Sequence, residues 1–284
     1  MGWKPLYFSM IYQRILPCQA LQPFVKEYLL LHFVYDPTKP PLVKPFPPLP
    51  EHGLEFFPKG LVTSVNPLTG TVKQEPRNTI YGQPVSRFNF IMPSDDYLMI
   101  RVIFHMGGLF RLLRIPMTEF TDKKIDSELV INQEVRAVND RLANTESYPL
   151  MIAIVEQYLR SKIRQVTTDI HAVDKIGQLL LQHPGWPGLD WLANQACLSP
   201  RQLERKFVER LGIGPKLFTR ISRFHRAFRW KEANPEADWL TVAVNFGYTD
   251  FHHLFKDFKE FAGVTPNTLL SESALSPEKI LRLD

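Results

Sequence analysis

From residue 169 onward, apolar residues recur three and four apart in segments separated by short breaks at 183–188 (HPGWPG), 198–200 (LSP), 212–215 (GIGP), 233–237 (ANPEA), 247–250 (GYTD) and 263–266 (GVTP). That period predicts a compact all-helical domain. Upstream the texture differs. From about 54 to 116 short apolar runs (LEFFP, LVTSV, TIYG, RFNFIM, YLMIRVIFH) are cut by turn residues such as NPLTG, which predicts a small antiparallel barrel or sandwich. SELVINQEVRAVNDRLA (127–143) and LMIAIVEQYLRSKI (150–163), the latter behind a cap-like Ser147 and Pro149, predict two antiparallel helices. These pack on the β region or pair with a second subunit. Residues 37–50 hold seven prolines, which remove backbone donors and force extended backbone. A long loop of the first domain is the expectation there, with a ligand for an SH3-like partner as the alternative. The fold class is α+β, divided into residues 1–165 and 166–284.

The helical part repeats itself. FVERLGIGP at 207–215 and FKEFAGVTP at 258–266 share a skeleton of Phe, Gly, a β-branched residue and Pro. The agreement extends to WLANQACLSPRQLERKFVERLGIGP (191–215) over LTVAVNFGYTDFHHLFKDFKEFAGVTP (240–266), with one extra residue in the second copy at about Phe251. Ala193 matches Ala243, Cys197 Gly247, Ser199 Thr249, Leu203 Leu254, Arg205 Lys256 and Phe207 Phe258. Each pair has a physical task. A small Ala lets the second helix cross closely, a small residue occupies the turn, Ser199 and Thr249 cap the second helix, and Leu with Phe four residues on faces the core. The unit is helix, tight turn, helix, glycine stop, written twice. Between the copies Leu217, Ile221, Phe224 and Phe228 form an apolar stripe, started by Pro215 and ended by Pro235. A helix there of about seventeen residues rises ~25 Å. With the bodies of the two hairpins it spans roughly one turn of duplex DNA, ~34 Å.

Charge sharpens the picture. The chain of 284 residues carries a formal +5. Residues 200–231 alone hold ten basic side chains (Arg201, Arg205, Lys206, Arg210, Lys216, Arg220, Arg223, Arg226, Arg229, Lys231) against Glu204 and Glu209. A concentrated positive segment suits phosphate contact, whereas a merely solvated face usually mixes signs. Apolar content of 44%, with 12% aromatic, is that of a folded globular chain. Two cysteines, Cys18 and Cys197, make neither a disulfide framework nor a zinc set, and a reducing cytosol is expected. MGWKPLYFSM lacks the marks of a secretory leader or a myristoylation site. The densest apolar run, YLLLHFV at 28–34, falls far short of the ~20 residues a membrane span needs. His52, Glu55 and His105 lack the close His spacing of a cupin metal site, and the adjacent His252 and His253 point different ways on a helix. No phosphate-cradling loop or serine elbow is written. The expectation is no enzyme, no metal and no cofactor.

The skeleton of the first hairpin, together with NFGYTDFHHLFKDFKEFAGVTP in the second, makes residues 169–270 resemble the DNA-binding domain of AraC/XylS-type transcriptional regulators. PEHGLEFFPKG, the YGQP turn and FHMGGLFRLLRIPMTEF are similar, more weakly, to the cupin-like sensing halves of that family. The resemblance implies a ligand-responsive, bacterial-type cytoplasmic regulator. Its partners would be double-stranded promoter DNA, a small-molecule effector, RNA polymerase and a second copy of the chain, with no membrane. By the family's layout, Arg201, Glu204 and Arg205 in the first recognition helix and Phe251, His252, Phe255 and Lys256 in the second face bases. Arginine suits guanine and glutamate suits cytosine, which points to a half-site rich in G and C. Lys206, Lys259, Ser199 and Thr249 are cast as phosphate contacts. The plain alternatives are phosphate contact for the arginines, an intrahelical ion pair for Glu204 and core packing for Phe255. Two other classes stay open: a protein-interaction module without sequence preference, and a metal-dependent cupin enzyme with an accessory helical domain.

Overall fold

The computed structural model describes residues 7–35, 38, 40–93, 95–163, 170–183 and 185–280. Among the described residues ten strands form the first half: β1 (Tyr7–Ile15), β2 (Val25–Tyr35), β3 (Val43–Phe46), β4 (Gly53–Lys59), β5 (Thr63–Val65), β6 (Val72–Gln74), β7 (Asn78–Tyr81), β8 (Phe88–Ile91), β9 (Asp96–Phe104) and β10 (Lys124–Asp126). They make a six-stranded sheet in the order β1-β2-β9-β4-β7-β10 and a four-stranded sheet in the order β3-β8-β5-β6, and the paired strands run antiparallel. This is the small antiparallel sandwich expected, but it begins well before residue 54.

The reason β2 escapes a period-two reading is that both of its faces are buried. Tyr28 and Leu30, with Leu98, Ile100 and Val102 of β9, pack against helices, joining Met151, Val155 and Leu159 in one core. Leu29, Leu31 and Phe33, with Tyr97 and Met99, face the smaller sheet and meet Phe90 and Met92. A strand covered on both sides reads as an unbroken apolar run, not as an alternation. The proline-rich stretch is likewise not all loop. β3 runs through it, with Pro45 on an edge strand, where the missing N–H leaves no gap in a ladder.

Four helices follow or interrupt the sheets: α1 (Gly108–Leu113), α2 (Ser127–Val130), α3 (Glu134–Ala143) and α4 (Tyr148–Ile163). The helix expected over 127–143 is split in two, because Asn132 turns its side chain onto the Glu134 N–H (3.1 Å) and restarts the chain at α3. Ser147 caps α4 as expected, accepting from the Leu150 N–H at 3.4 Å. Both α3 and α4 add buried residues to the core on the large sheet, so the helix pair packs on the β region.

The second half is helical: α5 (Ala172–Gln182), α6 (Leu189–Gln195), α7 (Pro200–Leu211), α8 (Pro215–Ala233), α9 (Trp239–Asn245), α10 (Phe251–Ala262), α11 (Pro266–Ser273) and α12 (Pro277–Ile280). The division expected between residues 165 and 166 falls in 164–169, outside the described residues, as does Pro184 of the HPGWPG break. The two halves touch. Met106 of the first belongs to the core of the second, and Gly107 lies so close to α5 that a Cβ there would sit 2.1 Å from an Asp174 carboxylate oxygen. Among the described residues no helix is long and apolar enough to cross a membrane.

Candidate nucleic-acid interface

Two copies of one turn carry the site. In α6–α7 the chain passes through Cys197 at φ 52°, in α9–α10 through Gly247 at φ 72°. The next N–H returns to the matched alanine in both, Leu198 to the Ala193 carbonyl (3.0 Å) and Tyr248 to the Ala243 carbonyl (2.9 Å). Size was one requirement of this position. The left-handed backbone is the other, and it favours glycine. Ala193 and Ala243 are fully buried, as are Leu203, Phe207, Leu254 and Phe258 on the core faces of α7 and α10. Both second helices end on a left-handed glycine, Gly212 (φ 87°) and Gly263 (φ 71°), whose N–H groups bond the Val208 and Lys259 carbonyls.

The caps differ, and one departs from expectation. Ser199 heads α7 in a capping box: its hydroxyl accepts from the Gln202 N–H (3.3 Å), and the Gln202 side chain accepts from the Ser199 N–H (3.0 Å). The second cap is Asp250, which accepts from the His253 N–H at 2.9 Å, and not Thr249. The extra residue of the second copy therefore precedes the cap and does not lie at Phe251. A carboxylate is the better acceptor at a helix N-terminus, and the His253 N–H holds Asp250 below the usual carboxylate range. Thr249 is left exposed in the turn.

Arg201, Glu204 and Arg205 lie exposed on α7, with Lys206 half-buried beside them. None of the four side chains makes a hydrogen bond or ion pair among the described residues, so Glu204 is not held by either arginine. On α10 His252, Lys256 and Lys259 are exposed, while Phe251 and Phe255 are half-buried with ring centres 5.9 Å apart. Phe251 packs on the core of the helical half. Phe255 stands outside that core, next to Lys259, whose Nζ is 5.9 Å from its ring. The exposed faces of α7 and α10 carry Arg201, Glu204, Arg205, His252 and Lys256, whereas Phe251, expected to face bases, is drawn into the core and Phe255 is only half-exposed.

The ten basic residues of 200–231 are not one free field, and here the sequence reading needs correction. Arg210 is buried in a bidentate pair with Asp174 (2.6 and 2.5 Å). Arg220 and Arg223 converge on the buried Asp257, and Arg220 also grips Glu260, whose carboxyl it holds below the usual range. Arg229 pairs with Glu232 (2.6 Å). Arg226 donates to the Leu181 carbonyl, and Lys231 donates to the Pro235 and Ala237 carbonyls. Their partners lie outside the counted segment and were invisible in it. Arg201, Arg205, Lys206 and Lys216 remain turned to solvent or half-exposed, joined by Lys256 and Lys259 of α10.

Sequence reasoning also missed the joint that seats α10 on α8. Asp257 accepts from Arg220 (2.7 Å) and Arg223 (2.9 Å), and the Arg223 guanidinium lies 3.9 Å from the centre of the Tyr248 ring. Two acidic residues, Asp257 and Glu260, in a helix otherwise mostly aromatic and basic were the available signal. As for metal, Glu55 is occupied by Arg101 and Lys124, each at 2.6 Å, and among the described residues no cluster of His, Cys, Asp or Glu is arranged to hold an ion.

Residues 192–272, which span both turns and both glycine stops, match the family model of a helix-turn-helix domain. This stretch is an AraC-type helix-turn-helix domain. Residues 13–126 match a domain of unknown function, DUF6597. By its AraC-type domain the chain is a DNA-binding transcription regulator. The whole architecture is similar to ToxT from Vibrio cholerae, with 12% identity over 87% of this chain and 99% of that one and a TM-score of 0.50. Similarity also extends to the C-terminal domain of AraT, a response regulator from Geobacillus stearothermophilus. That match has 24% identity over 35% of this chain and 84% of that one, with a TM-score of 0.33. The AraC-like transcriptional activator CuxR matches 94% of each chain at 12% identity and a TM-score of 0.27. No curated protein matches the chain. Within this domain α7 and α10 are the second helices of the two hairpins, joined by the 19 residues of α8, about 28 Å of helix.

Proposed function

We propose that the chain is a ligand-responsive, sequence-specific regulator that sets α7 and α10 into successive major-groove segments of promoter DNA. The observation that carries this reading is that two successive hairpins each turn exposed basic side chains to solvent, Arg201 and Arg205 on α7 and Lys256 and Lys259 on α10. Arg201 and Arg205 would bond guanine edges and Glu204 a cytosine amino group, while His252, Lys256 and Phe255 meet the second segment. Lys206, Lys259, Ser199 and Thr249 would hold phosphates. Residues 1–165 form the sensing and dimerising domain and 166–284 the DNA-binding domain. A cavity of about 410 Å³ in the sensing half, lined by Phe46, Tyr81, Phe88, Phe90, Lys73 and Lys123 among others, has the size and mixed lining of a small-molecule site. An effector with an apolar body and an anionic group suits it. RNA polymerase and a second copy of the chain complete the partners, and the setting is the cytoplasm.

Competition binding to duplex libraries at graded salt tests the reading. Arg205→Ala costs ~1–3 kcal/mol at one half-site and relaxes the base preference there. Lys259→Ala weakens all sequences alike and makes the salt slope shallower by about one unit. A wild-type chain that binds duplexes without sequence preference at ~150 mM salt, or whose footprint covers one half-site and is unchanged by Arg205→Ala, would overturn it.

A further inference from the structure

Both glycine stops of the duplicated unit are held from outside the helical half, and by neighbouring loops. The Gly212 carbonyl, at the end of α7, accepts from Thr121 Oγ1 at 2.8 Å. A Cβ on Gly212 would lie 2.6 Å from that oxygen and 3.0 Å from the Met117 carbonyl, so contact is as close as a backbone permits. At the end of α10 the Ala262 carbonyl accepts from Arg87 Nη1 at 3.4 Å, while Arg87 Nη2 pairs with Glu272 of α11 at 2.5 Å. Arg87 is 4% exposed. Leu68, from the β5–β6 hairpin, fills the space over Gly263.

Thr121 and Arg87 belong to separate loops, one between α1 and β10, the other between β7 and β8. Asp122 fastens them together. Its Oδ1 accepts from the Val85 and Ser86 N–H groups (2.9 and 3.0 Å), its Oδ2 from the Ser86 hydroxyl (2.6 Å), and its own N–H donates to the Gln83 carbonyl (2.9 Å). It does so in the left-handed region, at φ 56°, which Asp tolerates better than most residues. The other side of the same loops faces the cavity, where Gly82, Pro84, Asp122 and Lys123 form part of the wall.

We propose that Asp122 makes these two loops a single yoke that fixes the mutual orientation of α7 and α10, so that filling the cavity behind it acts on both recognition helices together. Each anchor alone is one or two hydrogen bonds to a helix end, too weak to position a subdomain. Joined by a carboxylate that accepts three charge-assisted bonds, each roughly twice as strong as a neutral one, they move as one element. Coupling between sites needs such a shared element whose arrangement both can bias. The link to promoter binding rests on the function proposed above, but the yoke itself does not.

Hydrogen exchange on the full chain, followed by mass spectrometry without DNA, tests it. Thr121→Val raises exchange about tenfold or more at 208–213 alone, and Arg87→Met does the same at 259–264 alone. Asp122→Ala raises both, while β2 and β9 keep wild-type protection. Should Asp122→Ala change only one stop or neither, the yoke is refuted. If that variant also loses protection in β2 and β9, Asp122→Asn decides. It retains the left-handed backbone and one acceptor but not the bond from Ser86 Oγ, and the proposal stands only if both stops still exchange several-fold faster. Wild-type chain that fails to bind any duplex defeats the promoter reading and leaves these exchange results as they are.

Discussion

Asp257→Ala removes the buried carboxylate on which the strut helix α8 meets α10. Three hydrogen bonds disappear, two from Arg220 (2.7 and 3.2 Å) and one from Arg223 (2.9 Å). Bonds to charged groups contribute ~1.5–3 kcal/mol each, but the two arginines do not lose equally. The Arg220 side chain is 29% exposed and keeps both bonds to Glu260, so its loss is at the scale of a surface pair, ~0–1 kcal/mol. Arg223 retains only the Tyr248 ring and the Gly247 carbonyl (3.3 Å), and its buried Nε has no partner already. Its charge is left without a carboxylate, at the ~1.5–3 kcal/mol of a hydrogen bond to a charged group, toward the upper end. The sum is about 3 kcal/mol, confined to the α8–α10 joint. In a domain of this size that lowers the melting midpoint by roughly 10 °C in calorimetry. On DNA, footprinting shows the segment under α10 deprotected first, while the α7 segment survives, because α7 packs on α5 and α6 and owes nothing to Asp257. Asp257→Asn falls between. A shift within experimental scatter, or equal loss at both segments, refutes the view that this carboxylate seats the second helix.

Breaking the Arg210–Asp174 pair by Asp174→Asn strands a guanidinium that lies 4.6 Å from the centre of the Phe110 ring. The expected cost is ~3–5 kcal/mol, and a double-mutant cycle with Arg210→Met by thermal melting that shows coupling under ~1 kcal/mol counts against it. Burial pushes the His52 imidazole down to about 4 from 6.5, and its Nε2 is buried without a hydrogen-bond partner. The folded value lies below the unfolded one, so between pH 6.5 and 4 the unfolded chain binds more protons and stability falls as the pH drops. The term is flat above pH 6.5 and reaches at most ~3 kcal/mol. His52→Gln therefore melts with a flatter acid limb than wild type, and identical limbs would show that His52 is not the cause. Cys197→Gly relieves a left-handed Cys, ~1 kcal/mol, against the chain entropy glycine adds, so a net gain of about 0.5 kcal/mol is expected. A lower urea midpoint excludes strain at that turn.

What the sequence discloses and what it hides divide along the range of the interactions. The duplicated hairpin is legible because every matched position does something local: Ala193 and Ala243 at a helix crossing, Leu203 and Leu254 on a core face, Gly212 and Gly263 at a stop. β2 is not, since Leu29 and Leu30 face different cores and leave no alternation to read. The cap of α10 goes to Asp250 because two acceptors adjoin and only geometry chooses between them. The apparent field of 200–231 shrinks because Asp174, Asp257 and Glu260 come from far along the chain. Arg87 and Thr121, which hold the glycine stops, sit in loops with no period at all, so nothing short of the fold brings them to notice.

The two copies share a backbone and diverge in chemistry, and the divergence bears on what each contributes. α7 starts at a neutral serine, so the positive end of its dipole stays available for a phosphate. α10 starts at a carboxylate that already uses that end and repels a phosphate there. Under the proposed function its approach to DNA then rests chiefly on Lys256 and Lys259, with Phe255 offering an apolar surface suited to a thymine methyl instead of a donor or acceptor. α7 offers two guanidinium groups and a carboxylate, none held by a neighbour, and so supplies directional bonds that penalise a wrong base through unpaired polar atoms. Under the proposed function, discrimination resides mainly in the first half-site and the second mainly fixes register. The operator should therefore be asymmetric, G and C under α7 and thymine under α10, even though the protein wrote the same hairpin twice.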